Sequence, residues 1–153
     1  MDAVTDNAVY ERTIAIDASP ETVWEFFVDP QKLMRWMGID AELDPRAGGV
    51  YRCNVIPGHT ARGEFVEVDK PKRVVFSWGW DGNEAVPPGS STIEVELQPE
   101  GNGTTLHFVH RDLTAEQAAS HAQGWDHYLE RLEIAASGGS PGDDPWVTNG
   151  PSM

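Results

Sequence analysis

The chain ends in a run of alternating strands that gives way to one long helix with a single apolar stripe. In "TIEVELQPEGNGTTLHFVHRDL" Ile93, Val95 and Leu97 alternate with Thr92, Glu94 and Glu96. "PEGNG" turns the chain, and Leu106, Phe108 and His110 then share a parity opposite His107, Val109 and Arg111. This is the pattern of a hairpin with one buried face. At Thr114 the period changes. Thr114 suits a helix N-cap, Gln117 stands at the capping-box position, and a helix is predicted to about Ser137. Its stripe holds Ala118, His121, Ala122, Trp125, Tyr128, Leu129, Leu132 and Ala136. A sheet with one apolar face and a helix with one apolar stripe must cover each other.

The upstream segments agree. "VYERTIAID" (Val9–Asp17) places Tyr10, Ile14 and Ile16 on one parity and reads as a strand. Ser19 and Pro20 open a helix whose inward stripe is Val23, Phe26 and Phe27, with Trp24 at its edge. Asp29-Pro30 stops it, and "QKLMRWMG" adds one or two turns ending at Gly38. Two strands joined at Arg46–Gly49 follow, with Tyr51, Cys53 and Val55 on one face. A further pair turns at Asp69–Lys72 and carries Val74, Phe76, Trp78 and Trp80 in one aromatic line. The fold class is α+β, with an antiparallel sheet of about six to seven strands. One domain is expected over residues 1–137, then a Gly/Pro/Ser-rich tail, 138–153, whose one large apolar anchor is Trp146. No internal repeats are visible.

At 153 residues the chain is long enough to bury a core without disulfides or structural metal. The net charge of −14 opposes nucleic-acid backbones and anionic membrane surfaces. The one cysteine, Cys53, excludes an internal disulfide and suits a reducing compartment. The N-terminus has neither a basic region nor an apolar core of a signal peptide, and no apolar window reaches membrane-spanning length. A soluble, cytoplasmic protein is expected, either monomer or homodimer.

Five stretches now carry a family resemblance: "SPETVWEFFVDPQKLMRWMG", "LDPRAGG", "GEFVEVDKPKRVVFSW", "GTTLHFVHRDL" and "HAQGWDHYLERL". In this order, over roughly residues 9–137, the chain resembles the SRPBCC (START-like, helix-grip) superfamily. Within it the chain is similar to the branch named after the activator of the heat-shock-protein-ninety ATPase; "SPGDDPW" in the tail fits too. The resemblance implies a curved antiparallel sheet wrapped around the C-terminal helix, with a cavity between them. Relatives bind lipids, sterols, polyketides and other apolar molecules; some catalyse cyclisation and others assist chaperones. Where relatives commonly have a tryptophan pair followed by Gly-Pro, "WMGI" places Met37 and Ile39, which softens that rim of the pocket. The chaperone activators also have a separate N-terminal domain, for which these residues leave no room.

"HAQGWDHYLERL" poses the functional question. His121, Trp125 and Tyr128 share one helix face, and Gly124 beside them costs about 1 kcal/mol relative to Ala. Gly124 is there either for close packing on the sheet or to keep a cavity open. His121 and Tyr128 each carry a polar tip that needs a partner when buried. His110, on the inward parity, is either a satisfied core histidine or a polar anchor inside the pocket. Trp78 and Trp80 follow one another on the inward parity; core packing can absorb one of them, and two suggest an aromatic-lined open end of the grip. Trp125 and the inward aromatics Phe27, Trp36 and Tyr51 complete the candidate ligand-binding set.

Other chemistry is poorly supported. The five histidines contain no His-x-His or His-x-x-x-His pair, and with Cys53 alone a thiolate zinc site is excluded, so no metal is expected. No Gly-x-Ser-x-Gly and no phosphate loop is present, and no cofactor is expected. Three readings remain. The first is a module binding a small apolar or aromatic molecule. The second is a cyclase- or hydratase-like enzyme on an aromatic or polyketide-like substrate, using His110, Tyr128 and His121. The third is a protein that docks on a chaperone.

Overall fold

A computed structural model describes residues 8–147, so parts of the expected domain (1–7) and of the expected tail (148–153) lie outside the described residues. The elements are β1 Ala8–Ile16, α1 Pro20–Val28, α2 Pro30–Leu33, β2 Asp40–Leu43, β3 Val50–Ile56, β4 His59–Asp69, β5 Arg73–Trp78, β6 Ser91–Glu100, β7 Gly103–Leu113 and α3 Ala115–Ala136. A short 3-10 turn at Pro145–Val147 follows.

The helix ends are written in the sequence. The Ser19 hydroxyl accepts from the Thr22 amide, and Pro20 occupies the first turn of α1. Asp29 ends α1, and its carboxylate accepts from Gln31 N at 2.9 Å to start α2. The capping box of α3 is complete: Gln117 N donates to Thr114 Oγ1 at 3.1 Å, and Thr114 N donates to Gln117 Oε1 at 3.0 Å. Trp24 differs from expectation. It is buried with Val23, Phe26 and Phe27, because α1 is covered on both sides of its stripe.

The seven strands form one antiparallel sheet in the order β1-β7-β6-β5-β4-β3-β2. β1 and β2 are its two edges, so the α1–α2 connection carries the chain from one edge to the other. Register shifts at Ala8/Tyr10, Asn54/Ile56 and Phe65/Glu67 bend the strands, as an extra residue in one strand of a pair does. The inner face carries Ile93, Val95, Leu106 and Phe108, all fully buried. The outer face is held by charge. Arg73 pairs with Glu67, Glu94 and Glu96, and Arg111 shares Glu94.

The helix α3 lies against β1, β7 and α1, with Leu129 and Leu132 fully buried. The tail turns back over it. The Arg131 guanidinium donates to the carbonyls of Trp36 (3.1 Å) and Gly142 (3.0 Å). His127 pairs with Asp144 at 2.8 Å, and Trp146 stacks on the His127 ring at 3.8 Å between centroids. Trp146 is thus the anchor that the tail's composition suggested. No helix among the described residues is long and apolar enough to cross a membrane.

Truncating Leu129 to Ala should remove about 2–5 kcal/mol of stability, since the site is fully buried between helix and sheet. Urea denaturation checks this. A loss below about 1 kcal/mol would mean that α3 is not gripped as described.

Candidate functional site

A cavity of about 860 Å³ opens between α3 and the β5 end of the sheet. Trp78, Trp80, His121, Gly124, Trp125 and Tyr128 line it, together with Met37 and Val55. The loop after Trp80 forms one rim. Arg62 holds Asp81 of that loop through two hydrogen bonds, of 3.0 and 2.9 Å. Asn83 Oδ1 accepts from Ala85 N and Val86 N, and Gln117 of α3 donates to Ala85 O at 3.1 Å. Gly79 allows the loop to return, because a Cβ there would meet Pro87 O at 1.8 Å. The rim is therefore fastened both to the sheet and to the start of α3.

Four expected site residues stand behind this wall rather than in it. Phe27 and Trp36 meet edge to face at 5.5 Å under α1, and the Trp36 indole donates to Phe26 O at 2.9 Å. Tyr51 stacks on Phe76 at 4.2 Å inside the sheet core. His110 is fully buried, and both of its nitrogens are occupied. Inward parity was read correctly for Tyr51 and His110, but inward on a sheet this deep means core before it means cavity.

The His110 network can be assigned atom by atom. Trp125 Nε1–H donates to His110 Nδ1 at 3.0 Å, so Nδ1 is the acceptor and Nε2 carries the proton. Nε2–H then donates to Ser91 Oγ at 2.8 Å, and Ser91 Oγ–H donates to Trp78 O at 2.8 Å. Every group in the chain is satisfied only while His110 is neutral. Burial, reinforced by His121, pushes its pKa well below the usual histidine value.

His121 is fixed in the opposite tautomer. Its Nδ1–H donates to Gln117 O one turn back at 2.8 Å, and its Nε2 accepts from Trp80 Nε1–H at 3.0 Å. Burial lowers its pKa, although the bond to Gln117 opposes the shift. The rings of His110 and His121 stand 4.9 Å apart, nearly perpendicular. Two indoles thus hold two imidazoles neutral between helix and sheet.

Tyr128 is held protonated. Burial first, and the Asp144 carboxylate next, raise its pKa. The two groups are close, yet neither Tyr128 Oη nor Asp144 Oδ2 makes a well-formed hydrogen bond. Cys53 is a buried thiol whose pKa is pushed up to about 12, first by burial, which leaves it inert as a nucleophile. Among the described residues, no three His, Cys, Asp or Glu side chains gather to hold a metal ion.

Met37, which "WMGI" places at the rim of the pocket, lines the cavity, and Ile39 does not; sequence reasoning missed the rim loop. It also missed Ser91, the buried hydroxyl that completes the His110 chain; no local pattern signals it. An added Cβ at Gly124 would meet nothing within 4 Å. The glycine faces open space and not a tight seam.

A sheet gripping one long helix, with a walled space between them, is the helix-grip architecture of the SRPBCC superfamily. Within it the chain belongs to the family described as activator of Hsp90 ATPase homolog 1-like proteins, whose model matches residues 17–137. The solution structure of the AHSA1-like protein from Rhizobium etli is 45% identical over 95% of this chain and 91% of that one, with a TM-score of 0.75. CalU16 from Micromonospora echinospora is 28% identical over 95% of this chain and 81% of its own (TM-score 0.71). The Aha1 dimer from Colwellia psychrerythraea shares the fold at 20% identity, covering 86% of this chain and 98% of that one (TM-score 0.75). No curated protein matches the chain.

Two outcomes follow for this face of α3. Gly124→Ala should raise stability by up to about 1 kcal/mol, because helix propensity improves and the methyl meets nothing. A drop of several degrees in its thermal melt would contradict an open space there. The second concerns acid. A histidine whose folded pKa lies below its unfolded value of about 6.5 binds fewer protons folded than unfolded. Its contribution is complete above that pH and is lost as the pH falls below it. Urea stability should therefore decline from about pH 7 to about pH 5.5, by at most about 1.4 kcal/mol per pH unit for each histidine. A flat profile would mean that the two rings are not held neutral.

Proposed function

We propose that the protein binds a small apolar or aromatic molecule in the cavity between the sheet and α3. The observation that carries this reading is the wall itself: three indoles, a phenol ring and a neutral imidazole around about 860 Å³. That volume lies in the range of small-molecule sites, roughly 300–1,000 Å³, and such sites are mostly apolar with few polar groups. The rim carries Asp81, Glu84 and Glu116, and the whole chain is strongly acidic, so the ligand is neutral rather than anionic. The single free thiol, buried, suits a cytoplasmic site of action.

Acid–base catalysis has less support. His110 does not line the cavity, and Nδ1, its one basic nitrogen, already accepts from Trp125. In His121 the basic nitrogen is likewise taken, by Trp80. A general base needs a free lone pair within reach of the substrate.

N-phenyl-1-naphthylamine, a neutral aromatic probe, should bind with a Kd in the micromolar range and quench tryptophan emission. Gly124→Leu keeps a good helix former and fills the space, so it should weaken the probe at least tenfold while the melting temperature holds. An unchanged affinity in that variant, or no binding to the wild type, would remove this reading.

A further inference from the structure

After α3 the chain reverses and runs back along the helix. Gly142 reaches Arg131, Asp144 reaches His127, and the turn at Pro145–Val147 lies against β3. The segment thus crosses from α3 to the sheet. It does so on the side where Tyr128 of α3 and Val55 of β3 line the cavity. Met37 lines the cavity too, and it also borders a second space of about 840 Å³ that Pro141, Asp144 and Val147 help to enclose.

The fastening is shallow and largely polar. No residue from Ser137 to Val147 is fully buried. Asp144 Oδ1 takes the His127 contact at 2.8 Å and accepts from Trp146 N at 3.0 Å, and Trp146 stacks on the His127 ring at 3.8 Å. One part of it is incomplete. Asp144 Oδ2 and Tyr128 Oη are buried without a well-formed hydrogen bond, which costs stability. A segment with few buried apolar contacts opens at low free energy while the helix and sheet beneath it stay folded.

We propose that Gly138–Val147 is a strap that closes the cavity between α3 and β3, and that docking of the strap and occupation of the cavity favour each other. This rests on the binding reading above. Tyr128 carries the coupling. It lines the cavity, while Trp146 meets its ring edge to face at 5.6 Å and Asp144 stands beside its hydroxyl. With the strap docked, a ligand packs on a wall that is backed by protein. With the strap released, Tyr128 and Met37 lose that backing to water, and an apolar ligand is held less well. That difference in affinity between the two states is what coupling requires, and the coupling is reciprocal.

Hydrogen exchange of the full chain, with and without saturating N-phenyl-1-naphthylamine, tests one direction. The probe should slow exchange of the amides of residues 138–147 by about fivefold or more, the lower end of ordinary coupling. Trp146→Ala tests the other. Trp146 does not line the cavity, so its loss acts on the probe only through the strap. The variant should speed tail exchange and weaken the probe by up to the same factor, mainly through faster release in stopped flow, whereas Trp146→Phe keeps a stacking ring and should keep most of the affinity. If Trp146→Ala does not fold, exchange of the wild-type tail still decides. Tail exchange that the bound probe leaves unchanged or accelerates, or equal affinity in wild type and Trp146→Ala, overturns the strap and leaves the cavity reading intact. A wild type that does not bind the probe overturns both.

Discussion

The hydrogen-bond chain from Trp125 through His110 and Ser91 to the carbonyl of Trp78 fixes where the long helix sits. Apolar burial alone draws α3 onto the sheet, but burial is non-directional and tolerates sliding. This chain does not. It joins α3 to β7, β7 to β6 and β6 to the end of β5, and each link needs its donor and acceptor within about 3 Å. Removing one member would leave a buried polar group unsatisfied, so the network behaves as a unit.

The cavity follows from that placement. With His110 consumed in the seam and His121 tied to Trp80, both imidazoles have partners, and the inner wall of the space is built of rings while its rim carries polar side chains such as Asp81, Glu84 and Glu116. Gly124 withholds a side chain at the point where α3 passes the opening. The rim loop is pinned by Asp81 on Arg62 and by Gln117 on Ala85. On the other side, the tail is fastened to α3 by Arg131 and by the His127–Asp144 pair under Trp146. The walls are held from several directions, which suits a preformed site.

Much of this was legible in the sequence because it is local. The alternation in "TIEVELQ", the Thr114–Gln117 cap and the stripe through Leu129 each depend on residues a few positions apart. Trp78, Trp80, His121, Gly124, Trp125 and Tyr128 could be named as wall for the same reason: parity and helical spacing say which way a side chain points. They do not say how deep it lies. Tyr51 and His110 point inward and stop in the core, because Phe76 covers the first and Ser91 and Trp125 enclose the second. Nor does spacing reveal partners far apart in the chain. The Trp80–His121 bond spans 41 positions.

The central claim is that two indoles hold two imidazoles neutral, in opposite tautomers, between helix and sheet. Long-range ¹H–¹⁵N correlation spectra of the imidazole rings test it directly. At about pH 6, where an ordinary histidine is largely protonated, His110 should show its proton on Nε2 and His121 on Nδ1, both neutral. A cationic pattern for either ring at that pH, or the same tautomer in both, would contradict the account.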